Sequence, residues 1–195
     1  MFFKSKLPKS FSRTFSRSQI NLIDNLRLLR EQHDVWIRST ITSIAFELPD
    51  TDLVIQRLLR IPKDFEQIFE TYYGRTITAK FNDLFKEHLD ITIQLAKAAK
   101  ANNNDEFAEV EQRWYQNADE IAAFLAGINY FWPSKEWRKM LHEHLGLVKA
   151  EIVNILAGNY EDGIVIYDKI EKQTLGMVDE MVKGLFKQFP NRFVK

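Results

Sequence analysis

Apolar residues recur at helical spacing through almost the whole of this 195-residue chain. A stripe of this kind is typical of amphipathic helices that bury one side against a common core. Glycines and prolines are rare, and they interrupt the pattern at Pro49, Pro62, Gly74, Pro133 and Gly158. Since both residue types commonly end helices, the pattern predicts an all-α fold whose helices end near these positions.

The stripes predict five long helices, over residues 18–47, 75–101, 105–131, 134–157 and 163–188. Two short helices, over residues 51–61 and 62–74, are predicted to connect the first long helix to the second. Short loops between long helices place sequential neighbours side by side in opposite directions. We therefore predict one domain over residues 19–189, an antiparallel bundle of four to five long helices, followed by a C-terminal tail at residues 190–195.

Composition excludes several classes of site. The chain has no cysteine, which removes thiolate zinc sites, iron–sulfur clusters, cysteine nucleophiles and disulfides. His, Asp, Glu and Asn remain as candidate metal ligands. The 27 basic and 27 acidic residues cancel, so no overall field favours nucleic acid as a partner. The lack of cysteine and of a secretory signal favours a cytoplasmic location.

The balance of charge hides a basic N-terminal arm at residues 1–18. The arm holds five basic residues and no acidic one, which leaves the rest of the chain with 22 basic and 27 acidic residues, a net charge of −5. Phenylalanines interleave with these cations, as in segments that lie on anionic membranes. We expect the arm to pack on the acidic body of the protein or to contact a membrane surface or a protein partner.

Four polar residues interrupt the apolar stripes at positions that should face inward: His33, His88, Asn117 and His144. A polar side chain in a core destabilises the fold unless it finds a partner. Each of the four lies close to the midpoint of its own long helix. Because antiparallel packing with short loops brings helix midpoints to the same level, the four side chains are expected to converge.

Three imidazoles that face one another in a bundle core suit a divalent transition metal such as iron, zinc or manganese. Glu151 lies two turns after His144 on the same helix face, so its carboxylate is a further candidate ligand. Two turns span about 10 Å, so the two residues could serve one ion only through a bridging water or a second ion. The sequence thus predicts a metal site at His33, His88 and His144, with Asn117 and Glu151 as neighbours or further ligands. Metal sensing, storage or oxygen-linked chemistry would be its function.

Two other interpretations stay open. In the first, the buried histidines and asparagine bond to one another and fix helix register, as single polar residues do in coiled coils. The protein is then a non-catalytic structural or interaction module, and its arm makes the contact with a membrane or partner. In the second, the polar layer gates a pocket for a small molecule between the helices.

Two familiar metal motifs are absent. No histidine has a glutamate three residues before it, as the di-iron signature Glu-x-x-His requires. His142, Glu143 and His144 are consecutive and do not form the His-Glu-x-x-His motif of zinc proteases. No serine lies in a nucleophile elbow. The sequence therefore names no catalytic residue and no reaction.

The chain resembles a family of uncharacterised bacterial proteins from Gram-positive spore formers. The resemblance spans residues 22–189. It rests on the Gln-His, Glu-His and Glu-His pairs in the middle of long helices, together with the segments LLRIPKDF, WYQNADEIAAFL and YDKIEKQTLGMVDEM. It implies a duplicated ferritin-like or hemerythrin-like helical hairpin with a metal site at His33, His88 and His144. The family has no settled activity, so the resemblance implies a fold and a metal site but no reaction.

Overall fold

A computed structural model describes residues 15–193 of the chain, and within that range it contains α-helices, one short 3-10 helix and no strand. The prediction of an all-α fold is confirmed. The helices are α1 (Arg17–Phe46), α2 (Thr51–Leu58), α3 (Ile61–Lys100), α4 (Asn104–Ile128), α5 (Ser134–Ala157) and α6 (Tyr160–Gln188), and the 3-10 helix is Pro190–Phe193.

Local sequence explains where the helices begin and end. Ser16 and Gln19 form a capping box at the start of α1, which satisfies two backbone N–H groups that the first turn leaves free. Gly158 ends α5 in the left-handed conformation, with φ of 76°, which glycine adopts without steric penalty. Because α1 begins at Arg17, the last residues of the predicted arm belong to the helix and its cap.

Helix α3 is kinked at Gly74, where the backbone leaves the helical region with φ of 74° and ψ of 172°. The segment before the kink folds back on the segment after it. Phe69 stacks on Phe81 with ring centroids 4.1 Å apart, and Phe65 meets Phe85 edge-on at 5.5 Å. Residues 61–73 and the first turns after Gly74 therefore run in opposite directions.

The five long helices form a closed ring in which α1 contacts α3 and α6, α4 lies between α3 and α5, and α5 contacts α6, while α5 also touches α1 and α3. Helices α3 to α6 alternate in direction. Helices α1 and α3 run the same way, since His33 lies beside Phe85 near their middles while Lys100 Nζ donates to Ala45 O at their ends, over 2.7 Å. A ring with an odd number of helices cannot alternate throughout. The predicted antiparallel order therefore fails at this pair, because residues 47–73 return the chain to the end of the bundle where α1 begins.

The far end of the chain also joins the core. Phe193 is buried and packs against Phe186, with ring centroids 4.7 Å apart, and against Tyr72. The segment predicted as a tail, residues 190–195, thus contributes a core side chain. None of the helices in residues 15–193 is both long and apolar enough to cross a membrane.

Most of the predicted basic arm, residues 1–14, lies outside the described residues, and so does its predicted contact with a membrane or partner. Of the described part, Phe15 is half-exposed and lies 6.3 Å from the ring of Phe186. The chain therefore enters the bundle at the same end at which α6 finishes.

Gly184 provides a test of the packing between α6 and the loop before α5. A Cβ at Gly184 would lie 1.9 Å from Nε1 of Trp132, a fully buried side chain that donates to Met181 O. Alanine usually stabilises an exposed helix position relative to glycine by up to about 1 kcal/mol, but here the indole must move. We expect Gly184→Ala to lower the free energy of unfolding by about 2–3 kcal/mol, measured by urea titration.

Gly176→Ala is the matched control on the same helix. A Cβ at Gly176 would meet no neighbouring side chain within 4 Å among the described residues, so this variant should be as stable as the wild type or more so. Equal stability of the two variants would contradict the close approach of Gly184 to Trp132.

Candidate metal centre

The four polar residues predicted to face inward are all buried, with exposed fractions between 1% and 3%. His33 on α1, His88 on α3 and His144 on α5 line one cavity of about 60 Å³ in the middle of the bundle. The rings of His33 and His144 are 6.0 Å apart between centroids. The helix stripes therefore bring the three imidazoles to one level, as their midpoint positions indicated.

His33 is held by an acidic residue that follows it directly in the chain. Its Nδ1 lies 3.0 Å from Oδ1 of Asp34, and the other carboxylate oxygen accepts from the Thr174 hydroxyl on α6 at 2.6 Å. Since an ionised carboxylate only accepts hydrogen bonds, His33 Nδ1 carries the proton. Its Nε2 therefore presents a lone pair.

His88 is held by Asn117 on α4. The Asn117 amide nitrogen donates to Leu84 O at 3.2 Å, which turns its oxygen toward His88 Nδ1 at 2.9 Å. His88 Nδ1 is thus the donor, and its Nε2 also presents a lone pair. The ring stacks on Trp114 with centroids 5.8 Å apart. Asn117 therefore orients His88 and binds it directly.

Arg30 reaches across from α1 to the third histidine. Its Nη2 lies 3.3 Å from Nε2 of His144. A guanidinium has donors and no acceptor, so His144 Nε2 accepts this bond and Nδ1 carries the proton. All three imidazoles are therefore neutral, each with its tautomer fixed by a neighbour.

A set of ligand atoms from His33, Asp34 and His144 lies within 4.8 Å of one another, close enough to hold one metal ion. Within residues 15–193, His33 Nε2 and His144 Nδ1 are buried and have no hydrogen-bond partner. Buried polar atoms rarely lack a hydrogen-bond partner in folded proteins. His88, Asn117 and Glu151 lie outside this three-residue cluster, although His88 lines the same cavity.

Burial lowers the pKa of each histidine because it disfavours the charged imidazolium, and the Arg30 charge lowers it further. The pKa of His33 falls to about 4 and that of His88 to about 3, while that of His144 falls well below its usual value. A metal requires neutral imidazole. The three rings are in that form at neutral pH without any competition from protons.

Asp34 stays ionised in the same environment. Burial raises its pKa, but the Arg30 charge and the hydrogen bond from His33 outweigh burial and bring the pKa to about 2. Arg30 Nε and Asp34 Oδ1 are 3.7 Å apart. The polar layer therefore contains a largely buried cation, Arg30, and a buried anion, Asp34, among neutral groups.

Glu151 is buried but has a different partner. Its carboxylate forms an ion pair with Arg38 of α1, and burial raises its pKa to about 7 against the opposing effect of Arg38. Arg38 also lies over the ring of Tyr167, 4.8 Å from its centroid. The structure thus places Glu151 in a separate charged pair, away from the residues that line the cavity.

Sequence reasoning missed Arg30, Asp34 and Thr174. Thr174 lies between the buried residues Ile170 and Met177. It thus interrupts the apolar stripe of α6 in the same way as His33, His88, Asn117 and His144 interrupt theirs. The same criterion applied to α6 would have found it. Arg30 and Asp34 flank His33 at the edge of the apolar stripe, where charged residues usually face solvent, so no signal in α1 alone distinguishes them.

No known protein family, curated protein or solved structure matches this chain.

The buried histidines make stability depend on pH. Because their pKa values are lower in the folded than in the unfolded state, the unfolded chain binds more protons below pH 6.5, and stability is lost as pH falls from about 6.5 toward 4. With metal removed by a chelator, we expect the free energy of unfolding to fall between pH 7 and pH 5 by several kcal/mol, about 2 per histidine before opposing effects. Urea titration at both pH values measures it.

Glu151 opposes this trend because its pKa is raised in the folded state. Its contribution to the free energy of unfolding is present at low pH and is lost as pH rises through about 7. Glu151→Gln should therefore lose more stability than the wild type over the same interval. A flat pH dependence in both proteins would mean that the histidines are solvated or charged in the folded state.

Proposed function

We propose that the protein binds one divalent transition metal, iron, zinc or manganese, in the middle of its helical bundle through His33, Asp34 and His144. The observation that carries this proposal is the cluster of ligand atoms from His33, Asp34 and His144 within 4.8 Å of one another, together with the buried, unpartnered lone pair of His33 Nε2. Metal sensing, storage or oxygen-linked chemistry are the functions that such a centre supports.

The ligand set fits this class of ion. Two imidazoles and one carboxylate are typical of iron, zinc and manganese, and such a set leaves coordination positions open. We include His88 as a further ligand, because its free Nε2 and its place at the cavity suit that role, and Asn117 as the residue that orients it. Glu151 is left out of the set because Arg38 engages its carboxylate. The resemblance of residues 22–189 to a family of ferritin-like or hemerythrin-like hairpins is a further argument for the proposal.

Arg30 opposes a cation at this position. Its guanidinium donates to His144 Nε2, and two unit charges about 4 Å apart at an effective dielectric of 20 interact by about 4 kcal/mol. To bind His144 Nε2, a divalent ion must therefore displace the Arg30 side chain. Arg30 acts as a built-in competitor of the metal.

Elemental analysis of protein purified without a histidine tag tests the site. We expect near-stoichiometric iron, zinc or manganese in the wild type, and its loss in the double variant His33→Ala, His144→Ala. His142→Ala is the matched control, since His142 is half-exposed and its Nε2 bonds to Asp119 at 2.7 Å, on another face of α5. If the wild type takes up no metal even after reconstitution, the proposal is overturned.

Replacement of Arg30 gives an independent test. Arg30→Met removes the competing charge and keeps a long apolar side chain, so metal affinity should rise at least tenfold, roughly the effect of 1.4 kcal/mol. Competition titration with a chromogenic chelator measures the change. Unaltered or weaker affinity in the variant argues that the metal does not lie beside His144.

A second candidate function is a purely structural polar layer. Its support is that hydrogen bonds cross between helices: Asp34 of α1 with Thr174 of α6, and His88 of α3 with Asn117 of α4. Such bonds fix register. In this case the wild type holds no metal, while Asn117→Leu alters the packing of α3 on α4 and leaves elemental content unchanged.

A further inference from the structure

Arg30 is a largely buried cation whose hydrogen bonds are incomplete. A guanidinium has five N–H donors, and among the described residues Arg30 makes one hydrogen bond, to the neutral ring of His144. Its Nε is buried without a partner. The side chain is 12% exposed and lines the central cavity. Donors of a fully charged group thus remain unused at the cavity wall.

Asp34 does not complete this cation. The 3.7 Å between Arg30 Nε and Asp34 Oδ1 is beyond hydrogen-bonding distance. The carboxylate instead accepts from His33 and from Thr174. Burying a charge without hydrogen-bonded compensation is costly, and burial lowers the pKa of Arg30 although Asp34 raises it. Among the described residues, no anionic acceptor forms a direct hydrogen bond to the guanidinium.

The rest of the cavity wall is apolar. Beyond Arg30 and the three histidines, its lining consists of aliphatic and aromatic side chains and methionines, among them Phe65, Phe85, Leu141 and Met177. The cavity volume of about 60 Å³ is well below the roughly 150 Å³ of an engineered cavity that holds benzene. The space suits a ligand of a few heavy atoms with one polar end.

We propose that this cavity binds a short-chain aliphatic monocarboxylate, with its carboxylate on the Arg30 guanidinium and its alkyl chain among the apolar side chains. A planar carboxylate matches the fork of N–H donors on arginine. A dianion such as sulfate would leave charge unpaired against the apolar wall. The carboxylate would occupy the cavity that the three histidines also line, and its binding to Arg30 requires no metal.

The first experiment uses propionate as the probe and the full chain treated with a chelator, so that metal binding and carboxylate binding are measured separately. Isothermal titration at constant ionic strength, balanced with sodium chloride, should give a Kd between about 10 μM and about 10 mM, a range set by a ligand of so few atoms. Propionamide, which has nearly the same shape and no charge, should bind at least tenfold more weakly. Hexanoate should bind more weakly because it exceeds the cavity.

Arg30→Met should weaken propionate binding roughly 10- to 100-fold, the range expected for hydrogen bonds to a charged group. Arg27→Met is the matched control. Arg27 lies on the same helix, is 44% exposed and pairs with Asp179 at the surface, so its loss changes net charge equally without touching the cavity. Propionate affinity should stay at the wild-type value in this control.

Three outcomes overturn the proposal: no binding of propionate by the wild type, equal binding of propionamide, or unchanged propionate affinity in Arg30→Met. Equal binding of propionamide would identify a neutral apolar pocket. If Arg30→Met does not fold, the comparison of propionate, propionamide and hexanoate on the wild type decides alone. Failure here leaves the elemental analysis of the wild type unaffected, so the two proposals stand or fall separately.

Discussion

The rest of the fold depends on one constraint: polar groups in the middle of an apolar bundle must find their partners on other helices. Asp34 of α1 meets Thr174 of α6, and Asn117 of α4 meets both His88 and the Leu84 carbonyl of α3. A shift of one turn along any of these helices would leave a buried donor or acceptor unpaired, at a cost of about 1–3 kcal/mol each. Apolar contacts alone tolerate such shifts far better.

Charge in the layer is balanced between Arg30 and Asp34, and the histidines stay neutral because burial and Arg30 lower their pKa values. The balance explains how a core can hold three imidazoles without accumulating positive charge. Arg30 is also the group on which both proposed ligands act in opposite ways. A metal cation would compete with its charge, whereas a carboxylate would accept its unused hydrogen bonds.

Much of this arrangement was accessible from the sequence. The apolar stripes predicted the long helices, and the midpoint positions of His33, His88, Asn117 and His144 predicted their convergence, because helix length and loop length together set the level of a residue in a bundle. The partners of these residues were not predictable in the same way. Whether Arg30 and Asp34 turn inward depends on the space that α5 and α6 leave beside α1, which is a property of tertiary packing. The parallel run of α1 and α3 follows from the fold-back at Gly74, whose direction the stripe does not encode.

The closed ring has a consequence for chain connectivity. Helices α1 and α6 are neighbours, and the two limits of the described chain meet near Phe186, which contacts both Phe15 and Phe193. Each long helix, including the first and the last, therefore lies between two others in the ring, and α5 contacts α1 and α3 as well. A circular permutant that joins these limits and opens the chain at the left-handed turn of Gly158 keeps every neighbour relation of the ring. The order in which the helices are synthesised is then separable from the order in which they pack.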